Sequence, residues 1–232
     1  MDYCVLAPVR NGSKWLPEFL NCLESFKLQP LRTYFLLNNC SDRSKDILKR
    51  YADRVGRTTI IEYDYKDAFF HPIEERYKYV SHLCKVRNAL IDVAIQHDSK
   101  WSHALIHDIT KLSPINLPDK LLSIDESLVS PLILREDVCS FWDLSNFRDI
   151  YNCPFKSAPP FFTGSMISEV ASVGSVVMVK REVFSVARFT PSKDDFDGTF
   201  VNFCYQARSY GHSCWVLRDV CSTAPIFLRK KL

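Results

Sequence analysis

Tyr3-Cys-Val-Leu-Ala-Pro-Val9, with Asn11-Gly12-Ser13 directly behind it, is the stretch that decides the fold. Its first seven residues form an apolar run rich in strand formers, and Asn-Gly-Ser combines a turn with a helix cap, so a strand ends there and a helix begins. From Leu16 the apolar residues fall at Leu16, Phe19, Leu20, Leu23 and Phe26, the spacing of one buried helical face, and Gln29-Pro30 stops the run. Thr33-Tyr-Phe-Leu-Leu37 then reads as a second strand and Asn38-Asn-Cys-Ser-Asp42 as a capping loop. Ile47, Leu48 and Tyr51 mark the apolar side of a second helix.

The same alternation continues outward. Thr58 to Tyr63 predicts a third strand, and Glu74 to Gln96 a long helix with Tyr77, Val80, Leu83, Cys84, Leu90, Ile91 and Ala94 near one face. Ala104-Leu-Ile106 is a short fourth strand, a further helix runs through Leu122, and Val129 to Leu134 is a fifth strand. Strands that alternate with helices require a mostly parallel sheet covered on both faces, because a parallel crossover needs a helix-length connection. The fold class is therefore α/β. Beyond it, Phe141 to Phe162 is rich in aromatics, Pro and Asn, the composition of an ordered but irregular segment over the sheet. A strand over Ser172 to Val179, a short helix over Glu182 to Val186, a helix from Phe196 to Tyr210 and a strand over Cys214 to Leu217 complete the pattern. No repeat or linker interrupts it, so residues 1–232 are expected to form one domain.

Composition narrows the function. Of 232 residues, 47% are hydrophobic and 25% charged, the balance of an ordinary globular protein. Lys plus Arg is 30 against 27 for Asp plus Glu, a net charge of +3 without long blocks of one sign, so nothing points to nucleic acid. The nine cysteines include no Cys-x-x-Cys pair and no zinc spacing, which favours a reducing compartment and free thiols. Val170 to Val179, the longest nearly apolar stretch, is too short to span a bilayer. The basic end Arg229-Lys-Lys-Leu232 reads as a solvated tail, with peripheral contact to an acidic lipid surface as its alternative.

In an open parallel sheet, ligands collect beyond the carboxyl ends of the strands. The loops there carry Arg10 and Asn11, then Asn38, Asn39 and Asp42, then His107, Asp108 and Thr110. Arginine, asparagine amides and helix N-termini suit an anionic, hydroxyl-rich ligand such as a nucleotide sugar. G-x-G-x-x-G, G-x-x-x-x-G-K-[ST] and G-x-S-x-G are all absent, so dinucleotide, P-loop and serine-hydrolase chemistry lose their usual support. Asp108 follows a buried strand immediately and would point into the cleft; a turn cap is the alternative for it.

Val5-Leu-Ala-Pro-Val-Arg-Asn11 and Leu36-Leu-Asn-Asn-Cys-Ser-Asp-Arg-Ser44 resemble the opening of family 2-type glycosyltransferases with the GT-A fold. Lys85-Val-Arg-Asn-Ala-Leu90 is similar to the family's A-R-N helix, and Trp101 to Thr110 to the strand leading into its D-x-D motif. Val173 to Val183, then Asp194-Asp-Phe-Asp197 with Tyr205 to His212, match two later segments in the family's order. A narrower likeness, through Phe141-Trp-Asp-Leu-Ser145 and the Arg-Asn helix, is to the fungal mannan-polymerase mannosyltransferases. Unlike those Golgi enzymes, the chain opens without an anchor, which implies a cytoplasmic relative of bacterial, protist or viral kind.

The resemblance implies a sugar transferred from a UDP- or GDP-linked donor to a glycan or other hydroxyl acceptor. Residues 1–110 would form the nucleotide half and 111–232 the acceptor half. It adds Pro8, Val9 and Arg87 to the donor-binding residues Arg10, Asn11, Asn38, Asn39, Asp42, His107 and Asp108. Asp108 would hold Mn²⁺ or Mg²⁺, with Thr110 assisting through water. Asp195 would take the acceptor's proton, with Asp194 beside it and Asp197 as the fallback, or would orient substrate if configuration is retained. The chain departs from the family where Thr110 replaces the second carboxylate of D-x-D, where Asn38 and Asn39 replace carboxylates, and where Cys221, Ser222 and Thr223 stand in place of a histidine. Arg87 and Lys111 are then candidate electrostatic substitutes for a metal, with surface ion pairing as the alternative. A non-catalytic nucleotide-sugar or glycan-binding module on the same fold is the rival from another class.

Overall fold

The computed structural model describes residues 1–64, 76–135, 148, 167–192 and 198–224. Along the chain these form β1 (Tyr3–Val9), α1 (Leu16–Ser25), β2 (Arg32–Asn38), α2 (Ser44–Val55), β3 (Thr58–Tyr63), α3 (Arg76–His97) and β4 (His103–His107). There follow α4 (Leu117–Leu122), β5 (Leu128–Arg135), β6 (Ile167–Glu169), β7 (Val176–Lys180), α5 (Val183–Val186), α6 (Thr199–Ser209) and β8 (Cys214–Ala224). The strands make one sheet in the order β3-β2-β1-β4-β7-β5-β8-β6.

β1, β2, β3 and β4 run parallel, as does the β5–β8 pair. β7 enters antiparallel between β4 and β5, and β6 lies antiparallel along β8. Parallel pairing therefore predominates, as expected, but the second half is mixed. β1 and β2 are buried almost end to end, as they must be when helices cover both faces, and this is why they lack the alternation of a half-exposed strand. Against them α1 lays down Leu16, Phe19, Leu20 and Leu23, each contributing roughly 1.5–3 kcal/mol by leaving water. Pro17, in its first turn, suits a helix start. α2 stops at Gly56, whose φ of 73° is the left-handed cap that a side chain would strain.

Two expectations are corrected here. Tyr77 is 53% exposed rather than on the buried face of α3, whose core residues are Val80, Cys84, Val86, Leu90, Ile91 and Ala94. The final strand does not end at Leu217. It continues to Ala224 after a register jump in which Pro131 pairs with Leu217 and Leu132 with Cys221, leaving Arg218, Asp219 and Val220 as a bulge. The polar Arg218-Asp219 pair belongs to that bulge, where Asp219 meets Lys120 at 2.9 Å. β6 was not foreseen.

The cysteines among the described residues carry free thiols. Among those residues no helix is long and apolar enough to cross a membrane. The basic end at 229–232, the aromatic segment at 141–147 and 149–162, and the acidic positions 194, 195 and 197 lie outside the described residues.

Candidate functional site

The chain runs from β1 outward to β2 and β3, then returns to place β4 on the other side of β1. That reversal opens a crevice at the carboxyl ends of β1 and β4. A cleft of about 240 Å³ lies there. Its floor is Pro8, Val9 and Arg10 from the end of β1, flanked by Asn38 from β2 and by Asp108, Ile109 and Thr110 beyond β4. α3 supplies one wall with Tyr79, Leu83, Val86 and Arg87, and Trp15 closes another side. A larger depression of about 670 Å³ opens at the opposite end of the central strands, where β4 begins and β7 ends, beside His103 and Lys180. Lys180 meets Asp125 there at 2.8 Å and Arg188 meets Asp92 at 3.1 Å, Arg181 donates to the Asp98 and Ile95 carbonyls, and the residues expected to bind a ligand are elsewhere.

Of the expected donor-binding residues, the structure brings Pro8, Val9, Arg10, Asn38, Arg87 and Asp108 together in the smaller cleft, with Thr110 beside them. Asn11, Asn39, Asp42 and His107 do not line it. Asn11 and Asp42 instead brace the two loops against each other. The Asn11 amide oxygen accepts the Ser41 N–H at 2.8 Å. Asp42 accepts the N–H groups of Ser13 at 2.8 Å and Ser44 at 3.0 Å, while Ser44 Oγ accepts the Gly12 N–H at 2.8 Å. Burial works against the Asp42 charge, but the hydrogen bonds from Ser44 and Ser13 prevail and hold its carboxyl at about 2. Asn11 and Asn39 both have positive φ, at 45° and 46°, a conformation asparagine tolerates better than most residues.

His107 and Asp108 are consecutive, so the strand pleat turns them to opposite faces. His107 is fully buried, edge-on to Phe19 of α1 with ring centroids 5.0 Å apart. Its Nδ1 lies 3.0 Å from the Asp108 carbonyl and its Nε2 2.8 Å from Ser113 Oγ. Burial pushes its pKa down to about 4, so the ring is neutral. Asp108 faces the cleft with its side chain 35% exposed. Its Oδ1 accepts both the N–H and the hydroxyl of Thr110 at 3.0 Å, and its Oδ2 lies 3.8 Å from Lys111 Nζ. Burial would raise the Asp108 carboxyl, but Lys111, the Thr110 N–H, Arg87 and the Thr110 hydroxyl outweigh it and keep it below the usual carboxylate range.

Arg87 is buried, donates to the Thr199 hydroxyl and sits over the rings of Phe200 and Phe189, at 4.8 and 5.4 Å. It thus joins the cleft wall to the start of α6, immediately after the acidic positions 194, 195 and 197 in sequence. Asn38 is buried against His82, whose Nε2 lies 2.7 Å from the amide nitrogen and 3.0 Å from its oxygen. Burial, then Arg10 and Lys85, lower the His82 pKa. Trp15, Tyr79, Leu83, Val86, Ile109 and the supporting His82 escaped sequence reasoning. A signal existed for α3: Tyr79, Leu83, Val86 and Arg87 fall at i, i+4, i+7 and i+8, a single stripe.

A divalent cation of the kind expected at Asp108 and Thr110 needs several oxygen ligands, carboxylates foremost. Among the described residues Asp108 is the one carboxylate in the cleft lining, and its Oδ1 already accepts two hydrogen bonds. Thr110 Oγ1 gives its proton to Asp108 and accepts from Lys111 Nζ at 2.8 Å. The end of β8, where a histidine was missing, is zipped to the β4 loop. Leu112 and Thr223 exchange backbone hydrogen bonds of 2.9 and 2.8 Å, and the Ser113 and Ser222 hydroxyls meet at 2.7 Å. Among the described residues no three His, Cys, Asp or Glu side chains converge to hold a metal. Among the described residues, one open carboxylate oxygen beside a nearly buried ammonium is a poor seat for a divalent ion.

No family model and no curated protein matches the sequence. Solved structures do. Crystallised S. aureus TarS superposes with a TM-score of 0.65 at 14% identity, over 97% of this chain and 37% of TarS. TarS 1-349 in complex with UDP-GlcNAc gives 0.65, again at 14% identity, over 97% of this chain and 59% of that one. GalNAc-T7, crystallised with UDP, GalNAc and Mn²⁺, gives 0.68 at 12% identity, over 98% of this chain and 44% of that one. The fold is the GT-A fold. The GT-A chains compared are glycosyltransferases, and the present chain spans from about a third to three fifths of their lengths. Nothing in these comparisons speaks for the narrower likeness to the fungal mannan-polymerase enzymes. At such identities it is the GT-A framework, not any residue's role, that is shared.

Proposed function

We propose that the chain is a glycosyltransferase that binds a nucleotide-diphosphate sugar across the ends of β2, β1 and β4. The observation that carries this is the cleft itself, whose lining combines an amide, an apolar wall, two arginines and a carboxylate on a GT-A framework. Neighbouring strands are about 4.8 Å apart, so three adjacent strand ends span about 10 Å, enough to seat a base at Asn38, Tyr79 and Leu83 and phosphates near Arg10 and Arg87. Asn38 offers both a donor and an acceptor to a base edge, and its contact with His82 fixes the amide. A UDP- or GDP-sugar is the donor class, and a glycan or other hydroxyl compound the acceptor.

Departure of the diphosphate builds negative charge in the cleft that Arg10 and Arg87 line, and fixed cations there stabilise that charge without reorganising. Asp195, or Asp197 as fallback, is the proposed base for the acceptor hydroxyl, with Asp194 adjacent. The bond between Arg87 and Thr199, which draws the start of α6 to the cleft, supports that assignment. Asn11 and Asp42 act by holding the two loops, and His107 by orienting the strand end from beneath.

A second reading, a binding module without turnover, is favoured by Thr110 where a second carboxylate is expected. Incubation with a panel of nucleotide sugars, with and without Mn²⁺, while nucleotide release is measured, separates the two. Release with a hydroxyl acceptor that vanishes in Asp108→Ala and Arg87→Ala supports the enzyme. Saturable binding without release in any acceptor mixture supports the module.

A further inference from the structure

We infer that Lys111 takes the place of a divalent cation in this chain: its ammonium neutralises Asp108, so Arg10 and Arg87, rather than a bound metal, face the leaving diphosphate. This rests on the nucleotide-sugar reading of the cleft and specifies how that cleft handles charge.

The Lys111 side chain is 4% exposed, and its Nζ is fixed by Thr110 Oγ1 at 2.8 Å and Asp108 Oδ2 at 3.8 Å. A turn brings it there, with the Lys111 N–H donating to the Asp108 carbonyl at 3.0 Å. A metal ion on Asp108 Oδ2 would stand about 2 Å from that oxygen, hence within about 6 Å of an ammonium that solvent barely reaches. Asp108 Oδ1 is occupied by two donors, and Thr110 Oγ1 keeps one lone pair. The ligand set is thus one open carboxylate oxygen whose charge is already balanced. Among the described residues, Arg10 and Arg87 line the same cleft as Asp108, whose charge Lys111 already opposes, so basic side chains are at hand for a diphosphate.

The test uses the full chain, titrated calorimetrically with UDP and separately with GDP, in EDTA and in Mn²⁺, alongside Mn²⁺ binding followed by electron paramagnetic resonance. The expected result is nucleotide affinity that differs by less than about tenfold between EDTA and Mn²⁺, and no saturable Mn²⁺ site on the protein. Lys111→Met should weaken nucleotide binding by more than about tenfold in EDTA and recover with Mn²⁺, while Lys111→Arg stays near the parent. Nucleotide binding that appears only with Mn²⁺, or a stoichiometric Mn²⁺ site removed by Asp108→Asn, overturns the inference and leaves the nucleotide-sugar reading standing. Absence of nucleotide binding under both conditions overturns that reading and the inference with it. Should Lys111→Met not fold, the parent and Asp108→Asn decide the matter.

Discussion

Breaking the Asp108–Lys111 pair from either side should destabilise the protein more than removing both charges. At 3.8 Å and an effective dielectric of about 20, the two charges attract by about 4 kcal/mol. Part of that offsets the desolvation of a lysine that is 4% exposed, and the exposure of Asp108 screens some of the rest. Asp108→Asn removes the negative charge facing a nearly buried ammonium while leaving its hydrogen bond to Thr110 Oγ1, and should cost about 2–4 kcal/mol. Lys111→Met leaves a carboxylate that still accepts two hydrogen bonds from Thr110, so its cost should fall at the lower end, about 1–2 kcal/mol. The double variant has no unpaired charge and should cost less than either single, under about 1 kcal/mol, giving a coupling of at least about 2 kcal/mol. Urea unfolding of the four proteins at pH 7, extrapolated to water, measures this directly. Costs that add within about 0.5 kcal/mol would refute the pairing, because independent sites add to that precision.

Three further outcomes are expected. His107 is neutral when folded, its pKa pushed to about 4 from 6.5, so the unfolded chain takes up a proton first as pH drops. Stability should be level above neutrality and fall between pH 6.5 and 4 by on the order of 3 kcal/mol, and urea midpoints at pH 7 and 5 should show a shallower fall in His107→Gln. A Cβ on Gly12 would overlap Ile109 Cδ1 and stand 3.1 Å from Val9 Cγ1, so Gly12→Ala should lower stability by about 1–3 kcal/mol; Ile109→Val in the same background should recover part of the lost melting temperature. Asp42, held at about 2 against 3.8, stabilises the folded chain above pH 3.8, and that contribution disappears as pH falls through 2. Because that carboxylate is partly solvated, Asp42→Asn should cost only about 1 kcal/mol at pH 7, and a variant that unfolds like the parent at pH 7 would contradict the loop brace.

The first half of the fold was legible because β1, β2 and β4 are short apolar runs cut off by polar residues, and helices follow β1 and β2 closely, from Leu16 and Ser44. The second half obscures itself for identifiable reasons. β6 has three residues, too few for any alternation to register. β8 hides its length because Arg218 and Asp219 look like a loop, whereas they form a bulge within a strand that resumes at Cys221. β7 starts at Val176 rather than Ser172, since Ser172 is spent on an isolated bridge to Arg148. Tyr77 was misplaced because α3 packs against β1 and β2 on one side and α6 on another, so its apolar residues define no single face.

The site divides along the same line. Arg10, Asn38 and Asp108 were legible because a parallel sheet dictates which strand ends collect a ligand, whatever the side chains are. Tyr79, Leu83 and Val86 were not, since an apolar residue on a helix reads equally as core or as cleft wall until the helix is docked. His107 and Asp108 show what closer attention to the pleat supplies: adjacent strand-end residues point opposite ways, so if Asp108 enters the cleft, His107 must leave it. The same logic reaches Lys111. Once Asp108 accepts from the Thr110 N–H, the chain must turn, and a turn closed by the Lys111 N–H onto the Asp108 carbonyl returns the lysine to the carboxylate it follows by three residues. Thr110 in the place of a carboxylate and Lys111 beside it are then one local feature, a hydroxyl that gives its proton to the acid and accepts one from the base.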